Sequence, residues 1–282
     1  MAFFLNACSS YHYGSRSFPE VVRLSRENNF LLSKYNSSYA PILTSFRPGD
    51  SNTLHIYIEG DGLAWRTKYE PSFDPTPADP IALKLAILDA SSATTIYLGR
   101  PGQYFKAPQR SIWDWTHRRF SKETIDLYSH FLDDLRLEYP QSKIVLLGYS
   151  GGATLALLLA ASRSDISKVI TFAGLLDPEK WIEINGYSPL EGSLNPTKFH
   201  QELDSTSQIH FVGENDTVVT SPVIKSYQSS FHTTAPVVIQ KVSGVTHWHG
   251  WESFWEGINS SIWNGKMHSK TIEDMKEGAI TE

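Results

Sequence analysis

Apolar residues in this chain come in short runs separated by polar turns, and the spacing within the runs changes along its length. Eight runs, at residues 30–35, 42–46, 54–59, 94–98, 143–147, 168–172, 208–212 and 237–242, are brief and rich in β-branched and aromatic side chains, which predicts strands. Five longer segments, at 80–88, 121–138, 152–162, 221–231 and 251–262, are read as helices. Ser121-Lys122-Glu123-Thr124 supplies a helix start and Tyr139-Pro140 a stop. Arg47-Pro48-Gly49-Asp50 reads as a hairpin turn between the second and third strands. Strands come first, then strand and helix alternate. That order predicts an α/β fold with a mostly parallel, eight-stranded sheet and helices on both faces. Ile144-Val145-Leu146-Leu147 suits a strand buried on both sides. In such sheets, catalytic and ligand groups gather at the carboxyl ends of the strands. Residues 1–28 are expected to be a leader or tether, 29–265 the folded domain, and 266–282 a polar tail.

Composition narrows the class. The 282 residues are 40% hydrophobic and 20% charged, with a formal net charge of −5 and no run of one sign. One large α/β domain accommodates such a chain. Without a basic patch, nothing points to a nucleic-acid partner. The longest strongly apolar stretch, 153–161, falls short of the roughly 20 residues that a membrane-spanning helix requires. The single cysteine, Cys8, excludes an internal disulfide. Leu5-Asn6-Ala7-Cys8 resembles the lipobox of bacterial lipoproteins, in which the cysteine is lipidated and becomes the mature N-terminus. The resemblance implies membrane attachment through Cys8 and a place in the cell envelope. Secretory signals usually run about 15–30 residues, whereas seven residues precede Cys8 here. The lipobox reading therefore requires a longer precursor; the alternative is a fortuitous match and a cytoplasmic protein.

The sharpest chemical signal is Gly148-Tyr149-Ser150-Gly151-Gly152, set between an apolar strand and an apolar helix. Gly-x-Ser-x-Gly in that context is a nucleophile elbow, a tight turn that lifts a serine hydroxyl above the sheet. Side chains at positions 148 and 152 would collide across such a turn. The following helix aims its N-terminal dipole at the site, which favours developing negative charge. A serine hydroxyl needs a base, and the base needs a carboxylate to fix its tautomer, in the chain order Ser, acid, His. Asp216, after a strand and a Gly-Glu-Asn turn, is the acid candidate; Asp177 is the reserve and Glu214 a third choice. His247 follows the last strand and is favoured as base over His249. A His-x-His pair also suggests a metal, but no Cys or carboxylate cluster completes a site, so no metal is assigned. For the oxyanion, the backbone N–H of Gly151 is one donor. The second is assigned to Asp61 in Glu59-Gly60-Asp61-Gly62, the loop after the third strand. Arg100, in the loop after the fourth strand, suits a structural salt bridge more than an acidic ligand.

Taken together and in this order, these motifs resemble the α/β-hydrolase superfamily over about residues 30–263. More narrowly, "YIEGDGLAW", "DPTPADPIALKLA", "LGRPGQYF", "GYSGGATLALLLAA", "FAGLLDPEKW", "PLEGSLNP" and "THWHGW" resemble a group of poorly characterised bacterial α/β hydrolases. The resemblance implies that fold and a hydrolase activity but no substrate. Many superfamily members carry His-Gly where this chain has Glu59-Gly60; a backbone donor does not depend on that histidine. The insertion after the sixth strand, about 174–207, is too short for a large lid and implies a short cap. Trp113, Trp115, Trp181, Trp248 and Trp251 are candidate pocket walls, although Trp251 and Trp255, four apart on a helix, also suit the core. The resulting expectation is a cofactor-independent serine hydrolase that acylates Ser150, with a small-molecule or lipid ester as substrate. A peptidase or acyltransferase would use the same residues. A non-catalytic envelope binding protein that keeps the fold is the alternative from another class.

Overall fold

The computed structural model describes residues 17–105, 110–232 and 234–265. Cys8 and the polar tail lie outside the described residues. Eight strands form one sheet: β1 (Leu31–Tyr35), β2 (Ile42–Arg47), β3 (Asp50–Ile58), β4 (Ala93–Leu98), β5 (Lys143–Tyr149), β6 (Ile166–Phe172), β7 (Ser207–Gly213) and β8 (Val237–Val242). Their spatial order is β1-β2-β4-β3-β5-β6-β7-β8. The β1–β2 and β2–β4 pairs are antiparallel, and every pair from β4 to β8 is parallel. The expected architecture is therefore present.

One pairing differs from expectation. The turn at Pro48-Gly49 does not close a hairpin, because β4 lies between β2 and β3. Its backbone hydrogen bonds go to the start of β4: Gly49 donates to Thr94 Oγ1 and Asp50 to the Ser92 carbonyl. The turn passes over the end of β4 and returns the chain on its far side, a route that local sequence cannot distinguish from a hairpin.

Helices cover both faces: α1 (Phe18–Glu27), α2 (Ile81–Ile87), α3 (Lys122–Glu138), α4 (Gly151–Ser162), α5 (Pro178–Asn185), α6 (His200–Leu203), α7 (Ser221–Ser229) and α8 (Trp251–Trp263). The strand period of two divides the core. Leu54, Ile56 and Ile58 of β3, with Ile144 and Leu146 of β5, pack with α3, α4 and α7. Tyr57, Val145 and Leu147 point the other way, towards α1, α2 and α8. Helix α4 is buried all round, as an evenly apolar helix must be. Helix α1 corrects the expected leader. Phe18, Val21 and Ser25 share its buried face, Pro19 sits in the first turn, and Ser25 Oγ lies 2.9 Å from Ser45 Oγ. Its remaining surface is charged and laced by Arg23 pairs to Glu20 and Glu27, so the segment reads as polar chain. Among the described residues no helix is long and apolar enough to cross a membrane.

Candidate active site

Strand β5 ends at Tyr149 and α4 begins at Gly151, leaving Ser150 alone at the junction. Ser150 has φ 50° and ψ −118°, a conformation that L-residues avoid and that tertiary packing must hold. The flanking glycines permit the turn. A Cβ at position 148 would meet Ala153 backbone at 2.5 Å, and one at position 152 would meet the Ile58 carbonyl oxygen at 2.2 Å. Both contacts are shorter than any side chain tolerates, so the strand, turn and helix close only with glycine there.

Three side chains far apart in sequence meet above this turn. Ser150 Oγ lies 3.1 Å from His247 Nε2, and His247 Nδ1 lies 2.8 Å from Asp216 Oδ2. A carboxylate only accepts, so the neutral imidazole carries its proton on Nδ1 and turns an unprotonated Nε2 to the hydroxyl. Asp216 is itself oriented: Oδ1 accepts from the backbone N–H groups of Val218 and Val219, both at 2.8 Å. The His247 carbonyl accepts from Tyr149 Oη at 2.8 Å and from Trp251 Nε1 at 3.0 Å, tying the loop after β8 to β5 and α8. His247 and Asp216 are 4% and 8% exposed, so this chain of hydrogen bonds is largely shielded from water.

Two residues with backbone N–H groups lie side by side next to this turn, Gly151 and Asp61. Gly151 opens α4, where the first N–H groups have no intrahelical acceptor. The backbone N–H of Asp61 makes no hydrogen bond among the described residues. The Asp61 carboxylate is firmly held: Oδ1 accepts from Arg100 Nη1 at 2.9 Å and Oδ2 from Arg119 Nη1 at 2.6 Å. Burial pushes this carboxyl up, but the charges of Arg119 and Arg100 more than offset that and leave it below its usual value. Arg100 thus makes the structural salt bridge expected of it. A Cβ at Gly151 would lie 2.2 Å from Asp61 Oδ1, so the carboxylate sits against the first turn of α4. Glu59, just before, is buried and pushed up to about 7, chiefly by desolvation; it accepts from the Gly60 N–H at 2.9 Å and from Tyr97 Oη at 3.2 Å.

The other candidates lie elsewhere. Asp177 caps α5 and accepts from Lys180 N, Asn195 Nδ2 and Ser226 Oγ, a structural role away from His247. Glu214 pairs with Lys241 and Ser243 at the surface. The backbone of His249 closes a turn on Thr246. Among the described residues no cluster of three His, Cys, Asp or Glu could hold a metal.

Ser150 and His247 open into a cavity of about 390 Å³. Trp181 and Trp248 line it, as expected of pocket walls; Trp113, Trp115 and Trp251 do not. Trp251 is fully buried in the core, and Trp115 donates to the Ser72 carbonyl. Sequence reading missed Trp65, Lys68, Arg119 and Tyr187, which also line the cavity. Trp65 and Lys68 come from the long loop between β3 and α2, where Trp65 bridges Pro71. The cap is therefore made by two segments, this loop and the insertion after β6. "GLAW", directly after the proposed oxyanion loop, was the available signal for Trp65.

No family model matches the chain, and no curated protein matches it. Solved structures do. Est1E from Butyrivibrio proteoclasticus, with ferulic acid bound, superposes with a TM-score of 0.62 at 13% identity, covering 82% of this chain and 98% of that one. The Pyrococcus furiosus esterase Pf2001 gives 0.60 at 13% identity, with coverage of 85% and 90%. An alpha-beta serine hydrolase homologue from Coxiella burnetii gives 0.56 at 15% identity, with coverage of 81% and 94%. At such identities the likeness speaks for the fold: this chain has the α/β-hydrolase fold.

Proposed function

We propose that the protein is a serine hydrolase that cleaves an ester, thioester or amide through an acyl-enzyme on Ser150. The observation that carries this reading is the continuous chain from Ser150 Oγ through His247 to Asp216. As Oγ attacks the substrate carbonyl carbon, His247 Nε2 takes its proton, and Asp216 stabilises the imidazolium. The carbonyl oxygen becomes an oxyanion that the N–H groups of Gly151 and Asp61 receive, with the N-terminal dipole of α4 behind them. His247 returns the proton to the leaving oxygen, sulfur or nitrogen. Water then attacks the acyl-enzyme by the same route, regenerating the hydroxyl and releasing the acid.

Esters are the favoured substrates. The cavity is compact and walled by Trp65, Trp181, Tyr187 and Trp248, which suits a bounded acyl group better than an extended peptide. One of the structural neighbours, Pf2001 from Pyrococcus furiosus, is named as an esterase. The test is a panel of p-nitrophenyl esters of increasing chain length together with a fluorophosphonate probe. Turnover and covalent labelling are expected, and Ser150→Ala should lose both, the rate falling by at least about 10³-fold. A folded wild-type protein that neither labels nor hydrolyses any of the panel would instead fit a non-catalytic binding protein.

A further inference from the structure

Not every polar group on the cavity wall is paired. Among the described residues Asp61 is the only carboxylate on that wall, and that carboxylate already binds two guanidinium groups. Each of its oxygens holds one of them, so neither arginine is paired bidentately. Both arginines are held away from water, at 5% exposure for Arg100 and 4% for Arg119. Arg100 is spent on the scaffold, giving Nη1 to Asp61 and Nη2 to the Arg119 carbonyl. Arg119 lines the cavity beside Ser150. It donates from Nε to the Thr116 carbonyl and from Nη1 to Asp61 Oδ2, both at 2.6 Å. Its Nη2 has no hydrogen-bond partner among the described residues. A second cation, Lys68, stands on the same wall over the Tyr187 ring, with only the Asn185 carbonyl as acceptor and no carboxylate partner among the described residues.

A buried guanidinium with one nitrogen left without an acceptor is costly unless a ligand completes it. Its planar, fixed donors match carboxylate and phosphate oxygens, and its site here is anchored on two sides before any ligand arrives. We propose that the cavity takes substrates carrying an anionic oxyacid group, carboxylate or phosphate, which Arg119 Nη2 receives and Lys68 supports while the ester carbonyl lies at Ser150. The proposal rests on the serine-hydrolase reading for its chemistry but not for its binding step. Asp61 then has two tasks: its backbone N–H serves the oxyanion, and its side chain sets the guanidinium plane.

Three matched esters test it: p-nitrophenyl valerate, the hemiglutarate that replaces its terminal methyl with carboxylate, and the 4-phosphonobutyrate that places a phosphate-like group there. After subtraction of uncatalysed hydrolysis, at least one anionic ester should exceed valerate at least tenfold in kcat/KM, mainly through KM. Which of the two leads tells carboxylate from phosphate. Arg119→Met should reduce that ratio to near one, Arg119→Lys should keep part of it, and Lys68→Met, at an exposed position, should lower it severalfold. Equal turnover of all three esters by wild-type protein, still dependent on Ser150, would overturn the anion site and leave the hydrolase reading intact. Calorimetry on Ser150→Ala with glutarate and with inorganic phosphate reads binding alone. Binding that Arg119→Met abolishes upholds the site even if no ester is turned over; no binding of either anion, with no ester preference, ends it.

Discussion

At the scale of single residues, the site depends on a proton being on one nitrogen and not the other. Asp216 Oδ2 fixes it on His247 Nδ1, and two backbone N–H groups fix Asp216. Asp216→Asn keeps the size of the side chain but lets its amide donate to the ring, which favours the wrong tautomer. We expect kcat to fall by about 10³–10⁴-fold while the fold is retained. Steady-state rates, circular dichroism and the rate of fluorophosphonate labelling of Ser150 check this together. A variant within tenfold of wild type would show that Asp216 does not orient the base. Asp177 could not take over, since its oxygens are occupied by α5, Asn195 and Ser226.

At the scale of elements, the question is what holds the His247 loop over Ser150. Tyr149 ends β5, Trp251 begins α8, and both donate to the one carbonyl of His247. Tyr149→Phe removes a single buried hydroxyl and leaves that carbonyl with one donor. The expected cost is about 1 kcal/mol in urea unfolding, with kcat down by roughly tenfold and KM little changed as the imidazole loses its position. Unchanged kcat would mean that Trp251 alone suffices. These elements were legible in the sequence because their strands are short runs rich in β-branched and aromatic residues and their site residues fall just past the strand ends. Ser150, Asp216 and His247 each follow a run whose burial could be read locally. Helix α1 could not be read this way, because its few buried positions are diluted by charged ones on its outer face. The β2–β3 connection was misjudged because strand rank is decided by β4, which arrives more than forty residues later. Arg119 was not legible at all: its meaning comes from Asp61, 58 positions away.

At the scale of the whole molecule, two buried titratable groups outside the hydrogen-bonded trio make stability depend on pH in opposite directions. Glu59 is raised from 4.5 to about 7 by burial. Between those values the unfolded chain releases a proton that the folded protein keeps, so stability is full below pH 4.5 and falls as pH rises through 7. His210 lies wholly inside, beside Thr171 and Gln208, and burial lowers it from 6.5 to about 3. Its contribution is present above pH 6.5 and lost as pH falls towards 3, because the unfolded chain binds a proton the core refuses. By linkage the limits are about 3 kcal/mol for Glu59 and about 5 kcal/mol for His210. Glu59→Gln removes only the first, and its amide can still face Tyr97 Oη. The variant should therefore gain on wild type as pH rises: the difference in urea-unfolding free energy should be more favourable at pH 8 than at pH 4.5 by up to about 3 kcal/mol. His210→Asn, whatever its packing cost, should lose less relative to wild type at pH 5 than at pH 8. Wild-type and Glu59→Gln curves that run parallel from pH 4.5 to 8 would mean that Glu59 is already ionised in the folded protein. The loop that carries Asp61 would then be anchored by a charged carboxylate rather than a neutral one.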